Sequence, residues 1–219
     1  MSAPLHETLW ERNRDIADAC LKHHFVRGIA EGTLEEQTFC RYLAQDAFFL
    51  DAFARAYALA VARSRSGQDI QAFHELLGGV IEEKKLHQNY AEKLGVSLLN
   101  VAPNWASRAY VDFLLRTGWN SGVDKILAAM APCMKLYSYL GGYLARSGMP
   151  DHRYRAWIRT YSSEAFSALT SKIEVLLDQH ATDSEPVRDA YRYAMHCELD
   201  FFSAVFGEPE NVSPLSRSL

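Results

Sequence analysis

Residues 33–65 read TLEEQTFCRYLAQDAFFLDAFARAYALAVARSR. Across this stretch Tyr42, Asp46, Phe49 and Phe53 recur at steps of four, three and four, which places them on one face of an α-helix. Nothing in it alternates with the two-residue period of a strand. Thr33 followed by Glu36 has the form of a capping box, so the helix is expected to open there and to stop near Ser66-Gly67. Asp46 interrupts an otherwise apolar stripe. A buried carboxylate without compensation costs several kcal/mol, so Asp46 needs a partner, a shifted pKa or a ligand.

The same periodicity runs through the rest of the chain. A first helix is expected over residues 5–29, stopping at Glu31-Gly32, and a third after Asp69 as far as 94, with Gly95 as its stop. Pro103-Asn104 opens a fourth, to 117, and a fifth fills residues 123–146 between Gly122 and Gly148. A sixth starts after Pro150-Asp151 and reaches 179; Asp183-Ser184 caps a seventh over 185–206. The breaks are short and no repeat or linker divides them. The expected fold is therefore all-α, a bundle of about seven helices in one domain over residues 1–206, with a polar tail over 207–219.

With 219 residues, 48% hydrophobic and 12% aromatic, the chain can bury a full core and has rings to spare for a pocket wall. A net charge of −4 without any Lys/Arg run argues against nucleic acid as a partner. No uncharged apolar run approaches the roughly 18 residues of a membrane span, so no membrane partner is expected. The N-terminus enters a charged helix pattern with no apolar signal core, and the expected compartment is the cytoplasm. Cys20, Cys40, Cys133 and Cys197 form no C-x-x-C pair, which argues against a zinc clip or a disulfide scaffold.

Other stripes carry reactive groups too. Ile126, Met130, Cys133, Tyr137 and Leu140 share a face of the fifth helix, and Tyr154, Ile158, Tyr161 and Ala165 share one on the sixth. On the seventh, Tyr191, Met195, Glu198 and Phe202 align, with Phe201 beside them. Pro132 directly precedes Cys133 and should disturb the helix at the Ala128 carbonyl, at a cost of roughly 3 kcal/mol. Cys20, Cys40 and Cys197 read as small buried hydrophobes. Cys133 is expected to be the thiol that alkylation finds first.

A metal or haem protein of the same architecture is the competing reading. Helical di-iron sites use Glu-x-x-His pairs, and none of the eight histidines has a glutamate three residues before it. Glu83 and His87 lie four residues apart in the charged run EEKKLH and read as an exposed polar pair. His23 and His24 read as capping or surface residues near a helix end.

Four segments resemble the TenA family, the thiaminase II or aminopyrimidine aminohydrolase family. They are HHFVRGIAEGTLEEQTFCRYLAQDAFFLDAFARAYALA from His23, APCMKLYSYLG from Ala131, WIRTYSSEAF from Trp157 and HCELDFF from His196. They follow in the family's order and cover the chain to about Phe206. The resemblance implies a haem-oxygenase-like helical bundle, usually a homotetramer, that needs no cofactor. It implies cleavage of thiamin, or of aminomethyl or formylaminomethyl pyrimidine, to hydroxymethyl aminopyrimidine. A regulatory, non-catalytic binding protein is the other idea attached to the family.

Position by position, the resemblance makes Cys133 the nucleophile and Asp46 the acceptor for the exocyclic amine. Glu198 matches the acid facing a ring nitrogen, with Tyr161 as its hydrogen-bonding neighbour. Tyr110 and Tyr137 match further hydroxyls around the ring; Phe49 and Phe201 match stacking positions. Some members carry tyrosine where this chain has Phe49. Cys133 places the chain with the cysteine-bearing branch. A glutamate among Met195 and Phe202 should have a raised pKa and so remain an acid near neutral pH. What activates Cys133 is open at this stage; transfer of its proton to Asp46 or to water is the favoured route.

Overall fold

The computed structural model describes residues 3–94, 102–146, 148–149 and 151–207. They form ten α-helices and, among the described residues, no strand. These are α1 (Leu5–Arg12), α2 (Arg14–Lys22), α3 (His24–Glu31), α4 (Glu36–Arg63) and α5 (Gly67–Lys93). The second half holds α6 (Trp105–Asn120), α7 (Val123–Arg146), α8 (Arg155–Tyr161), α9 (Glu164–His180) and α10 (Glu185–Phe206). The expected helix stop at Gly95, the start at Pro150 and tail residues 208–219 lie outside the described residues.

Ten helices replace the expected seven because two continuous patterns are cut by side-chain hydrogen bonds. Asn13 leaves helical geometry (φ −117°, ψ 16°). Its amide donates to the Leu9 carbonyl at 2.8 Å, and its Oδ1 accepts from Arg192 of α10 at 3.2 Å. His23 is extended and restarts the chain as an N-cap, its Nδ1 accepting from the Phe25 N–H at 3.1 Å. His24 lies exposed and stacks on Phe206. The sixth pattern breaks at Ser162-Ser163, where the Ser163 hydroxyl caps α9 by accepting from the Phe166 N–H. Phe166 consequently turns inward where Ala165 was expected, and Ala165 is exposed.

The start of α4 departs from the expected capping box. The N-cap is Glu35 without a side-chain bond, and the Glu36 carboxylate instead accepts from Arg153 at 2.6 Å. Asp183 likewise pairs with Arg12 and Arg188 while Ser184 caps α10 without a side-chain bond. Asn104 does cap α6, accepting from the Ser107 N–H at 2.8 Å. The first helical run closes as expected at Gly32, in the left-handed conformation (φ 72°) that glycine adopts without strain.

Helix α4 packs on α5 and α6, α10 on α7 and α6, and α7 on α9 and α8. The expected stripes of the three long helices face this interior: Tyr42, Asp46, Phe49 and Phe53 on α4, Met130, Cys133 and Tyr137 on α7, and Met195, Glu198 and Phe202 on α10 are buried. Each large ring buried there contributes about 1.5–3 kcal/mol of apolar burial. Helix α7 continues through Pro132 without interruption. Among the described residues no helix is long and apolar enough to cross a membrane.

The α7–α8 crossing places Tyr161. A Cβ on Gly141 would lie 2.5 Å from the Tyr161 carbonyl carbon and 2.7 Å from its oxygen. Gly141→Ala should therefore push α8 outward and cost about 1–3 kcal/mol, read as a lowered Tm. An unchanged Tm would show that the crossing is not tightly packed.

Candidate functional site

A narrow pocket opens where these helices meet. Asp46, Phe49, Leu50 and Phe53 of α4, Glu83 of α5, Cys133, Met134 and Tyr137 of α7, Tyr161 of α8 and Phe166 of α9 line it. The walls are rings: Tyr137 lies 4.7 Å from Tyr161, and Phe49 5.0 Å from Phe53, between centroids.

Two carboxyls are held by tyrosine hydroxyls. Tyr110 donates to Glu198 Oε1 at 2.8 Å, and Tyr161 donates to Glu83 Oε1 at 2.6 Å. Burial pushes Glu198 up to about 8 and Glu83 up to about 7, and the charge of Asp46 adds to both. Hydrogen bonds from Tyr110 and Cys133 hold Glu198 from rising further; the nearby imidazole of His87 does the same for Glu83. Burial also raises the Cys133 thiol well above its ordinary value, with Glu198, Glu83 and Asp46 reinforcing it.

Asp46 has its partner in His87, whose Nδ1 lies 3.1 Å from Oδ2, an ion-pair distance off the line of a straight hydrogen bond. Burial opposes charge on this imidazole, yet bonding and attraction to Asp46, with Glu83 behind, outweigh it and raise the His87 pKa. The ligand atoms of Asp46, Glu83 and His87 all lie within 4.8 Å of one another, so this trio is where a divalent ion could be chelated. The ion pair and the Tyr161 bond already compensate these charges internally.

Five of the eight expected site residues line the pocket: Asp46, Phe49, Cys133, Tyr137 and Tyr161. Glu198 and Tyr110 stand behind Cys133. Phe201 is not among the lining side chains; it is buried edge-on to Tyr42, 5.8 Å between centroids. The neighbour of Glu198 is Tyr110 rather than Tyr161, because α8 directs Tyr161 toward α5.

Glu83 and His87 were misread as an exposed pair. His87 is buried, and the Glu83 carboxylate is turned into the pocket. Their signal is the stripe Phe73, Leu76, Val80, Glu83, His87 and Ala91, at three- and four-residue steps, which the flanking Glu82, Lys84 and Lys85 conceal. The alkylation expectation also changes. Cys40 is the half-exposed thiol, whereas Cys133 is buried and flanked by carboxyls that oppose its ionisation.

The helical bundle thus gathers a thiol, acids and hydroxyls around one ring-walled pocket. The sequence matches the TENA/THI-4/PQQC family over residues 10–208, and the chain belongs to that family. It is 32% identical to the mitochondrial bifunctional TH2 protein of Arabidopsis thaliana, over 89% of this chain and 36% of that protein. The chain thus spans about a third of that relative's length. It is also 32% identical to a Halalkalibacterium halodurans protein named aminopyrimidine aminohydrolase, over 80% of each. The solved TenA homologue of P. horikoshii OT3 superposes with a TM-score of 0.86 at 21% identity, covering 93% of this chain and 99% of that one, a likeness of fold.

Proposed function

We propose that this pocket hydrolyses aminopyrimidines, cleaving thiamin or aminomethyl or formylaminomethyl pyrimidine to hydroxymethyl aminopyrimidine in the cytoplasm, in a homotetramer. The observation that carries the reading is the cavity wall that Cys133 and Asp46 share with the rings of Phe49, Tyr137 and Tyr161, with Glu198 behind Cys133 and His87 beside Asp46. The name of the H. halodurans relative supports it.

Asp46, with His87 paired beside it, accepts from the exocyclic amine, and Phe49 stacks on the ring. Glu198, with its pKa near 8, is protonated at neutral pH and gives its proton to a ring nitrogen. The resulting carboxylate, held by Tyr110, takes the thiol proton as sulfur adds to the now electrophilic ring. The leaving group departs from the methylene, water adds there and gives up a proton to the departing group or to solvent, and sulfur leaves the ring as its proton and that of Glu198 return. This gives Cys133 a base that its own elevated pKa otherwise denies it.

Incubating the purified protein with each of the three pyrimidines and assaying hydroxymethyl aminopyrimidine tests the proposal. Product is expected from at least one. Binding of the product pyrimidine without turnover of any substrate would instead mark a non-catalytic binding protein.

A further inference from the structure

The mechanism above leaves one acid in the pocket without a task. Glu83 lines the cavity, and Tyr161, also lining it, donates to its Oε1 at 2.6 Å, so Oε2 can carry an acid proton. Resting on the aminopyrimidine reading, we propose that Glu83, directly or through the Tyr161 hydroxyl, is the proton donor for the departing nitrogen of the substrate. The proton inventory leads to it. Glu198 spends its proton on the ring and recovers one from the thiol, so neither group supplies the leaving group.

The three substrates differ in that need. Thiazole leaves thiamin as a neutral molecule, and an aminomethyl group that enters as ammonium brings its own proton. A formamide anion is far too basic to leave unprotonated. As the C–N bond of the formylamino substrate breaks, its electron pair stays on nitrogen, which takes the Glu83 proton and leaves as formamide. The Glu83 carboxylate then accepts a proton from the water that adds to the methylene. The sum is amide plus water to alcohol plus formamide, with Glu83 restored.

The surroundings suit an acid working near neutrality. Glu83 faces His87 on α5, Asp46 and Tyr57 on α4, Cys133 on α7, Tyr161 on α8 and Glu198 on α10. Helix α9 meets α5 through Lys172 and His180, which pair with Glu75 and Asp69. Burial, the first of these influences, raises the carboxyl to about 7.

The test compares Glu83→Gln with wild type on formylaminomethyl pyrimidine and on thiamin. Turnover of the amide should fall by ~10²–10⁴-fold and that of thiamin at least ~10-fold less, so that the ratio of the two rates collapses. Thiamin turnover by the same preparation reports its folding; if Glu83→Gln is insoluble, Tyr161→Phe should lower the same ratio. Equal losses on both substrates, or no loss, overturn the proposal, as does a wild type that cleaves thiamin but not the amide. A wild type that cleaves neither while binding the product removes the aminopyrimidine reading itself, and this inference with it.

Discussion

Glu198→Gln is expected to lower turnover of every aminopyrimidine substrate by ~10²–10⁴-fold while leaving the bundle folded. The amide keeps the shape of the carboxyl and can still accept from Tyr110, but it cannot release a proton to a ring nitrogen or take one from Cys133. Wild-type activity should fall as pH rises through about 8, where Glu198 loses the proton it must donate. Stability supplies an independent check. The carboxyl rises from its ordinary 4.5 to about 8 on folding, so between those values the native state holds a proton that the unfolded chain has lost. Its contribution is present below 4.5 and is lost as pH climbs toward 8, and the glutamine variant has no such slope. The Tm difference should therefore shift in favour of Glu198→Gln with rising pH. Near-normal activity would take Glu198 out of the mechanism.

The larger effect belongs to Cys133. Cys133→Ala should abolish hydrolysis, since no other thiol reaches the pocket: Cys20 and Cys197 are buried in the core and Cys40 is half-exposed elsewhere. Cys133→Ser should be nearly inactive, because a hydroxyl is a far weaker nucleophile toward the ring. Affinity for the product should change little in either variant, as the Asp46 and Glu198 contacts and the Phe49 stack remain. Removing the thiol also takes away a hydrogen-bonding neighbour of Glu198. Cys20→Ala, Cys40→Ala and Cys197→Ala should leave the chemical step intact and cost only packing.

The long helices were legible because their apolar periodicity survives every polar interruption; α4, α7 and α10 carry Asp46, Cys133 and Glu198 inward as their stripes require. The cuts at Asn13 and His23 were hidden, for neither is a glycine or proline. Asn13 is held partly by Arg192, nearly the whole chain away. Ser162-Ser163 breaks a pattern whose periodicity alone would run on. Glu83 and His87 were concealed by their charged neighbours, although a window reaching back to Phe73 aligns them with the core face. The pairing of Tyr110 with Glu198 and of Tyr161 with Glu83 depends on how α6 and α8 sit against the other helices, which no local pattern encodes.

The most direct measurement is the release of hydroxymethyl aminopyrimidine by wild type and Cys133→Ala, side by side, with binding of that product measured on both. Covalent catalysis at Cys133 predicts product from wild type, none from the variant and closely similar product affinities. Wild-type rates from Cys133→Ala would contradict it and leave direct attack by water as the chemistry of this pocket.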